Sequence, residues 1–300
     1  MTPGRLLYLI RRRARLGLKH WYAERFLFDR ITEWRSNENL SSAQVPLHLL
    51  ASRHDWKMAL WMLMSFHEAT GRRWPVILQE DGSLGEREFS IYRTMFPGIR
   101  IITRREADTV MEQVLKNSPL CLDYRRRMPH GLKSFDIPYF SQSDRFLMID
   151  PDVLFFQPPQ EILDWVDHPA DGSCWFNQDF QEPSPITPEQ VRRELGIDLW
   201  PHVNTGLCLL NKKTVSDLDA MESYLAHPSL QDPRIQWRVE QTVLALCASR
   251  DNNGGLLPLT YEVSPNKNRR LGCVARHYVG CVRDRFLSDG VLALRQRLLQ

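Results

Sequence analysis

The sequence predicts an α/β fold, a mixed but mainly parallel sheet flanked by helices, and three observations carry that expectation. Short apolar runs of strand length at residues 45–52, 75–79 and 99–103 alternate with runs of helix length at 55–68, 85–95 and 106–116. Alternation of this kind places crossover helices on both faces of a parallel sheet. A further run, Phe146-Leu147-Met148-Ile149, is apolar at consecutive positions, as in a strand buried on both faces. It ends in Asp150-Pro151-Asp152, and open α/β sheets bind their ligands beyond such strand ends.

In chain order, residues 4–28 come first. Leu6, Ile10, Ala14, Leu18, Tyr22 and Phe26 recur every four positions, while Arg5, Arg12, Arg15 and Lys19 fall largely elsewhere on the helical wheel. A basic amphipathic helix with aromatic residues can lie in an anionic membrane interface, or pack on its own domain with a solvated basic face; periodicity does not separate the two. We expect residues 1–40 to form a basic helical extension and residues 41–300 a single domain. The strand at 45–52 ends at Ser52, which with Asp55 can cap the helix at 55–68, where Met58, Leu60, Trp61, Met62, Leu63, Met64 and Phe66 read as buried. The strand at 75–79 runs into the turn Glu80-Asp81-Gly82-Ser83, where Asp81 reads as a structural turn residue. The second half is less regular, with prolines at 183, 185, 188, 201, 228 and 233. Three islands stand out there, at 175–180, 203–213 and 276–280, together with an apolar helix over 238–248 that opens on Glu240 and Gln241.

Composition narrows the function classes. The chain has 300 residues, 43% hydrophobic and 25% charged, the balance of a soluble globular protein with ample length for a core. A formal charge of +3 is too small to argue for a nucleic-acid partner. The six cysteines, at 121, 174, 208, 247, 273 and 281, form no CxxC pair, and we read them as reduced core residues of a cytoplasmic protein. No run approaches the roughly 18 apolar residues that a membrane-spanning helix needs. The short patch at 6–10 is followed at once by Arg11, Arg12 and Arg13, unlike a signal peptide.

Chemistry concentrates at Asp150 and Asp152. In an extended strand, side chains two apart lie on one face, so both carboxylates would point together. Like charges that close repel unless a cation sits between them, which makes the pair a seat for a divalent ion. Pro151 holds Asp150 extended and removes a ladder donor, so regular pairing should stop here. Asp-Pro-Asp is also common turn chemistry, but the apolar runs at 146–149 and 153–156 argue against a surface turn.

A strand ending in Asp-x-Asp, then Asn-x-Gly-x-x-x-x-Asn from Asn204, then an acid followed by Gln on a helix, then His277-Tyr278-Val279-Gly280, resembles the GT-A-fold glycosyltransferases, the family-eight type especially. The likeness runs over residues 45–286. It implies that Asp150 and Asp152 bind a divalent ion bridging the diphosphate of a nucleotide-sugar donor, with His277 as third protein ligand. That donor set suits Mn2+ and, less well, Mg2+. Arg283 stands where the family places a diphosphate-contacting lysine, six residues after the histidine, and a guanidinium can grip phosphate in a bidentate way. The family's Lys-Pro-Trp ending is absent. Ser52 falls where the family holds base and ribose, and Lys133 is a candidate for neutralising phosphate. Asp179 lies where the family grips sugar hydroxyls, and Asn204 begins the strand on the acceptor side. Glu240 and Gln241 replace the more usual Asp-Gln pair, with the Glu240 carboxylate one methylene further out; a helix-dipole role is its alternative.

The implied reaction is transfer of a sugar from a nucleotide diphosphate sugar, a UDP-sugar first, to the hydroxyl of an acceptor such as a glycan or glycolipid. The resemblance implies retention of configuration; inversion would need a general base, with Asp179 or Glu240 as candidates. Two other readings stand beside it. An aspartate-nucleophile phosphatase also opens on an apolar strand followed by Asp-x-Asp, but on its first strand, whereas three strand–helix units precede it here. The other is an inactive GT-A-like scaffold held at a membrane surface by residues 4–28, against which the intact Asp150, Asp152 and His277 stand.

Overall fold

The three strand–helix units form as patterned, each within a few residues of its expected bounds. In a computed structural model that describes residues 16–35 and 40–298, they supply β1 (Leu47–Ala51), β2 (Val76–Glu80) and β3 (Arg100–Ile102). Helices Trp56–Thr70, Glu86–Met95 and Arg104–Val114 follow them in turn. The first strand-to-helix turn is closed by Asp55, whose Oδ1 accepts from the Ser52 backbone N–H at 2.7 Å and the Ser52 hydroxyl at 2.9 Å. The first helix stops at Gly71, whose φ of 62° is a left-handed conformation that costs glycine little.

The remaining strands are β4 (Arg145–Ile149), β5 (Val153–Phe155), β6 (Cys174–Gln178), β7 (Val203–Asn211), β8 (Gly254–Leu256), β9 (Tyr261–Val263) and β10 (Ala275–His277). Seven strands make one sheet in the order β3-β2-β1-β4-β7-β6-β8. Pairings β1–β2, β2–β3, β1–β4 and β6–β8 are parallel, and β7 runs antiparallel to both β4 and β6. This is the expected mixed, mainly parallel sheet. A second sheet, β5-β10-β9, has no counterpart in the sequence expectation.

Two apolar cores cover the two faces of the large sheet. One packs Trp61 and Phe66 of helix Trp56–Thr70 against Leu47, Leu147 and the small sheet's Phe155. The other packs Val243, Leu244 and Leu246 of helix Gln236–Asp251 against Phe146 and Phe176. Below it, Arg125 grips Asp136 with two hydrogen bonds, of 2.6 and 2.7 Å, and both side chains are fully buried. Guanidinium and carboxylate planes match in such a pair, which fixes the π-helical turn Leu132–Asp136 that carries Lys133.

The described part of the amphipathic segment packs one face on the domain and leaves another exposed. Residues 16–26 are helical and continue into the turn Phe28–Glu33. Ala23, Leu27 and Ile31 are buried in the first core, and Trp61 Nε1 donates to Phe28 O at 3.0 Å. The four-residue series itself points outward: Leu18, Tyr22 and Phe26 are 83%, 44% and 49% exposed. Leu6, Ile10 and Ala14 lie outside the described residues. Of the cysteines, five are buried as expected and Cys281 is exposed. Among the described residues no helix is long and apolar enough to cross a membrane.

Two core histidines give the fold a pH dependence. Burial lowers the pKa of His67, whose ring lies against Trp34 and Phe96, to about 3. Burial does the same to His48, to about 3, against the opposing effect of its hydrogen bond with Gln79. Both stay neutral in the fold but take a proton near pH 6.5 in the unfolded chain. The folded state then binds fewer protons, so stability is full above about pH 6.5 and is lost as pH falls towards 3. Urea unfolding at about pH 5 should show a loss on the order of 2 kcal/mol per histidine relative to pH 7.5, and His67→Phe should reduce that slope.

Candidate active site

The site is built where the chain changes sheets. β4 ends at Ile149; the Asp150 N–H donates to Gly206 O of β7 at 2.7 Å. Pro151 and Asp152 form a turn, and Val153 opens β5, paired with β10 so that Val153 lies opposite His277. Tyr278 N–H then donates to Asp152 O at 2.9 Å. Asp150-Pro151-Asp152 is therefore a turn, not the extended stretch expected, but one set between two buried strands rather than at the surface. The turn and the cation seat turn out not to exclude each other. One ligand atom from each of Asp150, Asp152 and His277 lies within 4.8 Å of the others.

The protonation of His277 follows from its neighbours. Asn204 Oδ1 accepts from the Gly206 N–H at 3.0 Å, which fixes the amide's orientation, and its Nδ2 donates to Asp179 Oδ2 at 2.9 Å. His277 Nδ1 lies 2.9 Å from the same Asn204 Oδ1, so Nδ1 carries the proton and donates. Nε2 then faces the acids, 3.1 Å from Asp152 Oδ1 and 3.9 Å from Asp150 Oδ2. Burial alone would lower the His277 pKa, but the Asp152 and Asp150 carboxylates outweigh it and the net shift is upward. Burial would raise the Asp152 pKa; His277 and Arg283 outweigh that and hold it below the usual carboxylate range. Two carboxylates and an imidazole nitrogen converging in this way fit a divalent cation, with the imidazole oriented from behind by a carboxamide. Gly206 leaves room for the ring: a Cβ there would collide with the His277 imidazole.

Every residue singled out from the sequence lines one cleft of about 840 Å³: Ser52, Lys133, Asp150, Asp152, Asp179, Glu240, Gln241, His277 and Arg283. Arg283 reaches in from the C-terminal segment, Nη1 3.3 Å from Asp152 Oδ2 and Nη2 3.8 Å from Asp55 Oδ2. Ser52 and Asp81 line the cleft while also serving their turns, Asp81 Oδ1 accepting from the Ser83 N–H at 3.0 Å. Lys133, buried in the wall, stands 2.9 Å from Asp150 Oδ1. Burial would lower its pKa, but Asp150 and Glu240 outweigh this and raise it, so it is an ammonium ion. Glu240 does not act as a helix-end acid; its carboxylate takes part in this buried cluster, 3.4 Å from Lys133 Nζ. Asp179 meets Asn204 just past the point where the β6–β7 register shifts between Phe176 and Asn177, which leaves residues 205–207 of β7 without a β6 partner.

Sequence reasoning missed Trp237 and Thr205. Trp237, 49% exposed on the cleft rim with the Arg238 guanidinium 4.7 Å from its ring, precedes Glu240 by one helical turn, a spacing that could have flagged it. Thr205 gave no signal beyond its place in the Asn-x-Gly motif. Gly206→Ala should push the His277 ring away from the acids. We expect the variant to retain its far-UV circular dichroism and to lose at least 10-fold in divalent-cation affinity, measured by titration calorimetry, in the range seen when a ligand's supporting contacts are removed.

No known family profile matches the chain, and no curated protein shows significant similarity to it. Solved structures do. The apo structure of the bifunctional glycosyltransferase WbbM matches 88% of this chain and 52% of its own, with a TM-score of 0.53 and 13% identity. An active-site mutant of LgtC matches over 79% of this chain and 88% of its own, with a TM-score of 0.53 and 14% identity. This chain thus spans about half of the WbbM structure. At such identities the likeness is one of fold, and the fold of this chain is that of the GT-A-type glycosyltransferases.

Proposed function

We propose that the protein is a metal-dependent glycosyltransferase of the family-eight type. It would move a hexosyl group, with retention, from a nucleotide diphosphate sugar, a UDP-sugar first, to a hydroxyl of a glycan or glycolipid acceptor. The observation that carries this reading is the convergence of Asp150, Asp152 and a His277 whose tautomer is set by Asn204, on the floor of a cleft at the carboxyl ends of β1 and β4.

Asp150, Asp152 and His277 would hold Mn2+ or Mg2+, which when bound supplies positive charge to a diphosphate as it leaves. Arg283, half-exposed on the C-terminal segment, binds the same diphosphate and offsets the charge that grows on it. Ser52, at the end of β1, contacts base or ribose. Asp179, on the far side of Asn204, orients sugar hydroxyls, and Gln241 faces the sugar from the first turns of its helix. With retention, the acceptor attacks from the leaving-group face and a diphosphate oxygen takes its proton, so no protein base is required. Trp237 and Phe180, both partly exposed on the cleft rim, offer ring faces for an acceptor sugar.

The exposed stripe Leu18, Tyr22 and Phe26, with Lys19 and Arg25 beside it, would lie on an anionic membrane surface and bring a glycolipid acceptor to the cleft.

A transfer and hydrolysis assay over a panel of nucleotide sugars with MnCl2 tests the reading. Turnover that depends on the nucleotide and stops with chelator supports it; phosphate release indifferent to the nucleotide contradicts it. Asp152→Asn should abolish Mn2+-dependent UDP binding in calorimetry with the melting temperature retained. Replacing Leu18, Tyr22 and Phe26 together by serine should reduce sedimentation with phosphatidylserine vesicles, and unchanged sedimentation would remove the membrane from the account.

A further inference from the structure

Glu240 is the acid whose place differs most from expectation. It is 2% exposed, and its carboxylate is enclosed by the protein. Oε2 accepts from the Thr205 hydroxyl at 2.9 Å, and Oε1 lies 3.4 Å from Lys133 Nζ. Lys133 Nζ in turn stands 2.9 Å from Asp150 Oδ1 and donates to Thr205 O at 3.3 Å. The Lys133 ammonium thus faces Asp150, Glu240 and the Thr205 carbonyl from inside the wall, its contact with Glu240 Oε1 being an ion pair rather than a hydrogen bond. Asp150 Oδ2, the oxygen that Lys133 does not hold, is the one turned towards His277 Nε2.

We propose that Glu240 is a positioning residue for the cation seat: it holds Lys133 so that Lys133 fixes the Asp150 carboxylate with Oδ2 turned to the bound ion. The inference rests on the reading of Asp150, Asp152 and His277 as cation ligands. Two physical requirements support it. An ammonium ion facing Asp150 alone would neutralise the charge a divalent ion needs; a second carboxylate on its other side divides that attraction. Lys133 is also long and flexible, and without Glu240 and Thr205 its ammonium would have no fixed place. The length of the acid matters too. An aspartate at this position would end roughly 1.5 Å short and lose contact with Nζ.

The strand that anchors Lys133 also supports the Asp150 and His277 parts of the seat. Asn204 fixes His277, Thr205 fixes Glu240 and Lys133, and Gly206 O receives the Asp150 N–H. Three consecutive residues of β7 thus support two of the three ligands.

The test is Mn2+ uptake by the full chain in the presence of UDP, read from the free-ion signal in electron paramagnetic resonance, with no turnover required. Glu240→Gln keeps the shape and removes the charge, and should weaken Mn2+ binding by about 10-fold or more, the range typical of groups that support a metal ligand. Thr205→Val, which leaves all three charged groups in place and removes only the hydroxyl, should weaken it by less. Lys133→Met combined with Glu240→Gln should cost less than the product of the two single effects, because both act through Asp150. Restoring the charge one methylene short, as in Glu240→Asp, should recover little. The inference is overturned if Glu240→Gln takes up Mn2+ as wild type does, or if the single effects multiply in the double variant. If wild type with UDP takes up no Mn2+, the cation seat itself is wrong, a failure distinct from that of Glu240's role.

Discussion

Three residues carry the chain from one sheet to another, and the site depends on that switch. Asp150 is pinned to β7 of the large sheet by its N–H, and Asp152 to the small sheet through the N–H of Tyr278. Each carboxylate is thus attached to a different rigid element. Pro151 between them has no N–H to satisfy and a fixed φ, so it can stand in a tight turn where any other residue would leave a donor to be paired. The apolar residues on either side, Ile149 and Val153, are fully buried and lock the turn from both ends. His277 joins the pair only because β10 aligns it with Val153.

Electrostatics completes the arrangement. Asp152 and Glu240 are buried and Asp150 partly so, and uncompensated buried charge is costly enough that each must find a partner. Lys133 stands between Asp150 and Glu240, while His277 and Arg283 flank Asp152. The cations differ in freedom. Lys133 is enclosed, whereas Arg283 is about half-exposed and rests on a segment from the C-terminal part of the chain. An enclosed cation suits the holding of a protein carboxylate; an exposed one suits a ligand that must enter and leave.

The sequence made β1 to β4 of the large sheet readable, because the first three come with helices of the right period and the fourth is apolar at consecutive positions, whereas β8 had no such pattern. The small sheet was not readable. Its strands have three residues each, and β5 pairs with β10 across more than a hundred positions, so no local signal predicts the pairing. The same division holds at the site. Asp150, Asp152, His277 and Arg283 were found through motif order and do converge. The role of Glu240 was not found, because its partners Lys133 and Thr205 are distant in sequence, and a lone Glu on a helix reads equally as a sugar contact or a dipole acid. Asp150 and Asp152 do come together as their spacing suggests, but through a turn rather than along a strand face.

The most direct measurement is a crystal structure of the protein soaked with UDP and MnCl2. The account predicts one ion bound by Asp150, Asp152 and His277 Nε2 and by diphosphate oxygens, with Arg283 on the diphosphate. An ion bound elsewhere, or a nucleotide whose diphosphate lies away from Asp150 and Asp152, would contradict it.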